Sequence, residues 1–226
     1  MSEWIKLQAS DGFEIDTYIA HPVGEPKGSL VVVQEIFGVN KHIQNVADDW
    51  AHDGFLCIAP QMFDRLEKNL DLSYDKPGLA KAASFIPKLD MDASIRDIDA
   101  AIDWLRNETE MNVGVVGYCY GGSVAYLAAC RLKMQAAVGY YGGHIAKFLD
   151  ETPQCPLMLH FGEDDGSIPA ATVDAIRNAH PEVPIFVYEN AGHAFNRNAD
   201  PKTFQPESSR AAKQRSLRFF EQHLVF

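Results

Sequence analysis

Short apolar runs alternate along the chain with longer stretches in which apolar residues recur every three to four positions. Apolar runs of this length between turn signals are typical of buried strands, and the longer stretches are typical of amphipathic helices. The runs predict strands at 30–34, 55–59, 113–118, 136–141, 156–161 and 185–188. The periodic stretches predict helices at 43–53, 91–107, 122–133, 170–180 and 208–223. This alternation indicates an α/β fold, in which a mostly parallel central sheet has helices on both faces.

Two segments fall outside this alternation. Residues 4–7 and 14–20, joined through Asp11 and Gly12, predict an antiparallel N-terminal hairpin at the sheet edge. Residues 63–88 lack a clear period apart from a short helix predicted at 76–85, and we expect this segment to cover the substrate side of the molecule as a lid. Neither an internal repeat nor a Gly/Ser-rich linker divides the sequence, so residues 1–226 are expected to form one domain.

The acidic composition narrows the range of partners. Lys and Arg number 20 against 31 Asp and Glu, and the formal net charge of −11 disfavours binding to nucleic acid or to an anionic membrane surface. Residues 113–130 are uncharged and long enough to raise the question of a membrane span, but their glycines favour a strand, a tight turn and a small-residue helix. The N-terminus lacks a signal-peptide pattern, so we expect a cytoplasmic protein. Its expected partner is a small molecule, and it is expected to be a monomer or a small homo-oligomer.

The cysteines are widely spread, with no CxxC pair and no zinc-like spacing. We therefore expect no metal and no other cofactor. In a reducing compartment all four should be free thiols. Three of them lie in apolar runs, where a cysteine behaves as a small buried hydrophobe; these are Cys57, Cys130 and Cys155.

Cys119 stands in a different setting. It is the centre of the sequence Gly-Tyr-Cys-Tyr-Gly, which follows the predicted strand and opens a helix of small residues. This is the setting of a nucleophile elbow, whose turn is so sharp that the residues two before and two after the nucleophile must be small. A helix N-terminus and a neighbouring imidazole both favour a thiolate. The motif alone leaves open the alternative of a buried structural cysteine in a glycine-rich turn.

Two possible partners for Cys119 follow later strands. Asp165 comes shortly after one predicted strand, and His193 comes shortly after the next. The order nucleophile, acid, histidine is that of the α/β-hydrolase fold, because each residue stands beyond the carboxyl end of a successive strand. We expect His193 to deprotonate Cys119 while Asp165 fixes the orientation of the imidazole. Asp164 competes for the acid role, but Asp165 is preferred, since one residue of slip turns a side chain away.

A further carboxylate, Glu35, follows the first central strand. In this fold the loop after that strand supplies one amide of the oxyanion hole, so the backbone amides of Ile36 and Tyr120 are the natural pair. Glu35 lies between apolar residues, which predicts a partly buried carboxylate that has a polar partner, because an unpaired buried charge is unfavourable. A solvated loop glutamate is the alternative.

Four segments taken together are typical of one family. They read Gln-Glu-Ile-Phe-Gly-Val-Asn at 34–40, Gly-Tyr-Cys-Tyr-Gly-Gly at 117–122, Val-Gly-Tyr-Tyr-Gly at 138–142 and His-Ala-Phe-Asn-Arg at 193–197. In this combination the chain resembles the dienelactone hydrolase family over almost its full length. The resemblance implies an α/β-hydrolase fold and the cleavage of ester or lactone bonds, as by a carboxymethylenebutenolidase. It also implies that Cys119, Asp165 and His193 form a catalytic triad that works through an acyl-enzyme.

The resemblance implies further roles around the triad. Glu35 would be the catalytic partner that holds the Cys119 thiol until substrate displaces it. Arg197 matches a family arginine that binds the carboxylate of the substrate, and Tyr141 is a further candidate for substrate binding.

One departure from the family puts the dienelactone substrate in doubt. Members that act on dienelactone carry a second substrate-binding arginine where this chain has residues 77–83, which contain none. Lys81 can supply the charge but not the planar two-pronged grip, and Arg65 can approach from the preceding loop. Two alternatives therefore accompany the lactone hydrolase. One is a general carboxylesterase or thioesterase, and the other is a non-catalytic protein that binds a ligand or senses redox state through Cys119.

Overall fold

The computed structural model describes residues 2–225. The eight strands in this part of the chain form one mixed sheet. The strands are β1 (Ser2–Gln8), β2 (Glu14–Ala20), β3 (Ser29–Val33), β4 (Leu56–Pro60), β5 (Val113–Tyr118), β6 (Ala136–Tyr140), β7 (Leu157–Gly162) and β8 (Ile185–Tyr188). Their spatial order is β1-β2-β4-β3-β5-β6-β7-β8. The pairs β1–β2 and β2–β4 are antiparallel, and the remaining pairs are parallel. The predicted hairpin and the mostly parallel sheet are both confirmed.

Six α-helices of the described chain flank the sheet. They are α1 (Lys41–His52), α2 (Lys76–Phe85), α3 (Met91–Thr109), α4 (Tyr120–Arg131), α5 (Ala170–Ala179) and α6 (Pro206–Leu224). The contacts of two glycines in strand β5 show that helices cover both faces of the sheet. A Cβ atom at Gly114 would meet Phe220 and Leu224 of α6, whereas one at Gly117 would meet Gly121 of α4. Because positions 114 and 117 point to opposite faces of a strand, α6 and α4 lie on opposite sides of the sheet.

Most predicted elements match the structure within two residues, and the differences have local causes. Helix α4 begins at Tyr120 and not at 122, because the chain turns into the helix directly after Cys119. Strand β6 ends at Tyr140, since Tyr141 has a φ of 38° and leaves the extended conformation. Helix α6 begins earlier than predicted, with Pro206 in its first turn, a position where the missing N–H of proline is harmless.

The segment predicted as a lid is mostly ordered into short helices. A 3₁₀ turn (Met62–Arg65) is followed by α2, and a second 3₁₀ turn (Ile86–Lys88) follows α2 directly. The Asp75 side chain caps α2 by accepting the Gly78 amide at 2.8 Å. Within residues 2–225, no helix combines the length and the apolar character that a membrane crossing requires.

The order of the strands determines where a ligand can bind. Strand β3 lies between β4 and β5, so the chain leaves β3 towards one side of the sheet and later returns to the other side. At such a switch point the loops beyond the carboxyl ends of the two strands separate and leave a crevice. The loop after β3 carries Glu35 and Ile36, and the loop after β5 carries Cys119. The fold therefore brings these residues to the same crevice.

Candidate functional site

Cys119 lies in a strained turn between β5 and α4. Its φ is 57° and its ψ is −117°, a backbone conformation that residues other than glycine rarely adopt. The glycines of the motif allow the close approach of neighbouring backbone. A Cβ atom at Gly117 would lie 1.8 Å from the Gly121 carbonyl oxygen, and one at Gly121 would lie 2.4 Å from the Val33 carbonyl oxygen. The elbow geometry therefore depends on glycine at both positions.

His193 and Asp165 lie in line with the cysteine. The Cys119 Sγ is 3.1 Å from His193 Nε2, and His193 Nδ1 donates to Asp165 Oδ2 at 2.7 Å. Ser167 completes the surroundings of the carboxylate, because its hydroxyl and its backbone N–H both donate to Asp165 Oδ1, at 2.6 and 2.9 Å. Ser167 Oγ also lies 3.2 Å from His193 Nδ1. Asp164 is exposed, so of the two candidate acids the structure brings Asp165 to the imidazole.

The charges in the row Cys119–His193–Asp165 favour a protonated His193 imidazole. Burial alone lowers the pKa of His193, but the Cys119 sulfur and the Asp165 carboxylate outweigh burial and raise that pKa to about 10. For Asp165, burial raises the pKa, and the hydrogen bond and charge of His193 with the two Ser167 donors outweigh it and hold the pKa below its ordinary value. Near neutral pH the site therefore holds an imidazolium between a carboxylate and the sulfur.

The two residues whose amides are predicted to form an oxyanion hole line the same pocket as Cys119. Ile36 and Tyr120 both line it, and Tyr120 is the first residue of α4, where a helix N–H has no intrahelical acceptor. The loop after β3 is fixed to the elbow because Gly121 donates its amide to the Gln34 carbonyl at 3.1 Å. The buried Gln34 side chain also accepts the Met62 amide at 3.0 Å. The position of the Ile36 amide is thus set by both neighbouring segments.

Glu35 is fully buried and pairs with Arg197. The guanidinium donates to the Glu35 carboxylate in three contacts, from Nε at 3.0 and 3.3 Å and from Nη2 at 2.8 Å. The Tyr74 hydroxyl donates to Glu35 Oε2, which also accepts from Arg197 Nε, at 3.2 Å. The guanidinium carbon also lies 4.3 Å from the Tyr74 ring centroid and 5.2 Å from that of Phe37. Both charges are therefore buried, and each has specific partners.

This pairing differs from the arrangement that the family resemblance implies. Glu35 was expected to hold the Cys119 thiol, whereas in this structure the sulfur faces His193 and the Glu35 carboxylate bonds to Arg197 and Tyr74. The pKa of Glu35 shows which contact dominates. Burial raises it, but the charge and hydrogen bonds of Arg197 outweigh burial and leave the pKa below the ordinary value. Glu35 is thus held as the anion of an ion pair.

A pocket of about 340 Å³ opens above Cys119 and His193. Its apolar walls come from Ile36 after β3 and from Ile86 and Leu89 beyond α2. Its polar lining beyond the row of Cys119 and His193 includes Ser123, His144 and Ser167. Concave sites of this size, mostly apolar with a few converging polar groups, are typical of small-molecule binding.

The structure places the predicted substrate-binding residues outside these walls. Tyr141 is fully buried and donates its hydroxyl to Asn196, and its ring centroid lies 4.9 Å from that of His193 with the two planes tilted by 58°, so it supports the imidazole. Lys81 lies on the exposed side of α2 and pairs with Glu67. Neither they nor Arg197 belong to the described residues that line the pocket. Among residues 2–225 no cluster of three or more His, Cys, Asp or Glu side chains could hold a metal ion.

Three residues around the site were missed at the level of sequence. Ser167, two positions after Asp165, follows the pattern of a turn in which an aspartate accepts from the backbone two residues on, and this was a usable signal. Tyr74 and Ile86 lie in the segment without a clear period, where no sequence pattern marks which side chain faces the site.

The chain has relatives along its full length. The sequence pattern of the dienelactone hydrolase family matches residues 15–224. A carboxymethylenebutenolidase of Pseudomonas putida is 31% identical, over 97% of this chain and 96% of its own. A solved structure from Klebsiella pneumoniae, provisionally assigned as a dienelactone hydrolase, is 28% identical with a TM-score of 0.86 and covers 99% of both chains. An α/β serine hydrolase from Xanthomonas campestris has a TM-score of 0.70 at 17% identity, covering 97% of this chain and 94% of its own, and shows the shared α/β-hydrolase fold alone.

Proposed function

We propose that the chain, which belongs to the dienelactone hydrolase family, cleaves ester or lactone bonds through an acyl-enzyme on Cys119. One observation carries the proposal. The row Cys119–His193–Asp165, with contacts of 3.1 and 2.7 Å, brings Cys119 and His193 to a pocket that Ile36 and Tyr120 also line. A nucleophile, a base, an orienting acid and two candidate oxyanion donors are the parts that acyl transfer requires.

In the first half of the reaction His193 Nε2 takes the proton of the Cys119 thiol, and the resulting sulfur anion attacks the carbonyl carbon of the substrate. The carbonyl π electrons move to oxygen, and the Ile36 and Tyr120 amides donate to the oxyanion. When the tetrahedral intermediate collapses, the bond to the leaving alkoxide breaks, and the His193 imidazolium donates its Nε2 proton to that oxygen. A thioester on Cys119 and an alcohol result. For a lactone the alcohol stays attached to the acyl group.

In the second half His193, now neutral, takes a proton from water as the water oxygen attacks the thioester carbonyl. The second tetrahedral intermediate expels the sulfur, which restores the pair of imidazolium and sulfur anion and releases the acid. Asp165 keeps Nδ1 protonated through both halves, so Nε2 is the nitrogen that exchanges the proton. Ser167 holds the carboxylate in place through its two donors.

Mass spectrometry of protein quenched during turnover tests this mechanism. With p-nitrophenyl butyrate as substrate, we expect a butyryl adduct on the peptide that contains Cys119, and loss of the adduct and of turnover in Cys119→Ala. Cys130→Ala is the matched control, because burial raises the pKa of that thiol to about 12 and it takes no part in the row. Full turnover by a folded Cys119→Ala variant refutes the proposal. A protein that uses Cys119 only as an oxidisable thiol gives neither adduct nor turnover.

A further inference from the structure

Part of the lining of the pocket is polar and takes no part in the row Cys119–His193–Asp165. It comes from Ser123, near the start of α4, and from His144, in the loop after β6. The His144 backbone N–H donates to Ser123 Oγ at 3.0 Å, so the two residues are joined. Together they form a continuous polar surface of the pocket, the Ser123–His144 wall.

Close packing of the backbone fixes the position of this wall. A Cβ atom at Gly142 would lie 2.8 Å from the Gly122 carbonyl carbon and 2.8 Å from the Ser123 nitrogen, so the loop after β6 lies directly against α4. Ser123 follows Cys119 by about one helical turn, and its amide donates to the Cys119 carbonyl at 3.4 Å. Because the wall and the sulfur belong to the same pocket, an acyl group on Cys119 comes within reach of the wall.

The Ser123 hydroxyl keeps an unused donor. The residue is 1% exposed, and its oxygen accepts the His144 amide. Within residues 2–225 no hydrogen bond uses the hydroxyl hydrogen of Ser123 as its donor. A buried hydroxyl without an acceptor is unfavourable, so an acceptor atom of a ligand in the pocket would stabilise this site.

The His144 imidazole adds two further hydrogen-bonding atoms to the wall. The residue is half-buried, and in the part of the chain that the structure describes its ring makes no hydrogen bond and no ion pair. Burial and the charge of Lys147 lower the pKa of His144, so its ring is neutral at neutral pH. A neutral imidazole has one N–H donor and one nitrogen acceptor. The wall therefore offers hydrogen bonds without a charge.

We infer that the Ser123–His144 wall is a subsite for an uncharged oxygen group in the acyl part of the substrate, namely an ether, ketone or hydroxyl oxygen. The inference rests on the proposed function, because it names a substrate class for the same site. Such an oxygen accepts from the Ser123 hydroxyl or from the His144 N–H, whereas a methylene group in its place leaves both donors without a partner. The apolar residues Ile36, Ile86 and Leu89 are available to the carbon atoms of the same acyl group.

Two pairs of esters of the same shape test this subsite. The p-nitrophenyl esters of methoxyacetic and butyric acid differ by an oxygen in place of a methylene group, as do those of 3-methoxypropanoic and pentanoic acid. The ether oxygen also changes the intrinsic reactivity of an ester, so the ratio of kcat/KM, ether over alkyl, is compared between the wild type and His144→Phe, where that effect cancels. We expect His144→Phe to lower the ratio by about fivefold to tenfold in at least one pair, because the imidazole hydrogen bond is lost. Unchanged ratios in both pairs overturn the inference.

Two further variants separate the hydrogen bond from the shape of the pocket. His144→Asn keeps a donor and an acceptor, so it should retain more of the ratio than His144→Phe. His223→Phe is the matched control, because His223 is a half-buried histidine of α6 that does not line the pocket, and it should leave the ratio unchanged. A loss in His144→Asn or in His223→Phe as large as that in His144→Phe overturns the inference. A wild type inactive on all four esters instead refutes the proposed function, so the two failures are distinguishable.

Discussion

The buried pair of Glu35 and Arg197 leads to a quantitative prediction for Arg197→Met. Methionine keeps much of the volume between Phe37 and Tyr74 but removes three hydrogen-bond contacts and the only cation bonded to Glu35 among residues 2–225. Removing one partner of a buried pair typically destabilises a protein by about 3–5 kcal/mol, because the other charge stays buried without compensation. For a chain of this length that corresponds to a fall in melting temperature of about 6–20 °C.

The double variant Glu35→Gln/Arg197→Met separates the stranded charge from lost packing. With both charges gone, most of the lost stability should return, since a neutral replacement of a buried ion pair is often close to neutral in free energy. Arg177→Met is the surface control. Arg177 and Asp174 are 44% and 63% exposed, and such a pair contributes at most about 1 kcal/mol.

Urea unfolding followed by tryptophan fluorescence measures all three variants, with Trp50 as a buried probe. The effect of Arg197→Met should shrink as the pH falls. The folded-state pKa of Glu35 is lowered in the native pair, so the contribution of the pair is present above the ordinary carboxyl range and is lost as the pH falls through the folded-state value. An Arg197→Met variant as stable as Arg177→Met, or a double variant no more stable than the single one, would refute the reasoning.

The remaining predictions concern the row of Cys119. Asp165→Asn should lower kcat by orders of magnitude and the exposed Asp164→Asn should change it little, with circular dichroism as the check on folding; the reverse order would reassign the acid. Because the pKa of His193 is raised to about 10, the group is protonated below that pH, and kcat/KM should fall as the pH rises through it. In Asp165→Asn that fall should move to lower pH, and an unmoved profile would contradict the assigned cause. Cys119→Ser should be a poor enzyme, since a hydroxyl is far less acidic than a thiol, and activity equal to the wild type would show that the site is not adapted to sulfur.

The local parts of the fold could be predicted because neighbouring residues determine them. The strands at Val113–Tyr118 and Ile185–Tyr188 have the predicted bounds, since each is an apolar run that turn signals close on both sides. The start of α4 could not be predicted from helix propensity. Its first turn contains Gly121 and Gly122, which disfavour a helix in isolation, and the requirement for close backbone contact across the elbow overrides that preference. The cytoplasmic location, the single domain and the oligomeric state stay predictions.

The partners of charged groups could not be predicted from the sequence, because pairing depends on distance in space. Arg197 and Glu35 are 162 residues apart, and Arg197 lies four positions after His193, which suggests a role towards substrate when the sequence is read locally. In the structure, the carboxylate that Arg197 binds is the Glu35 side chain and not a substrate. A buried glutamate between apolar residues did predict a polar partner, but the identity of that partner required the fold.

The Glu35–Arg197 pair connects two loops that carry residues of the site. Glu35 belongs to the loop after β3 that carries the Ile36 amide, and Arg197 belongs to the loop after β8 that carries His193. The pair therefore joins the loop that presents an oxyanion donor to the loop that presents the base. The two loops follow strands at different places in the sheet, with β5, β6 and β7 between them, so strand pairing alone does not fix one relative to the other. A bidentate contact restricts both distance and angle, and a row of contacts as short as 2.7 and 3.1 Å requires that precision.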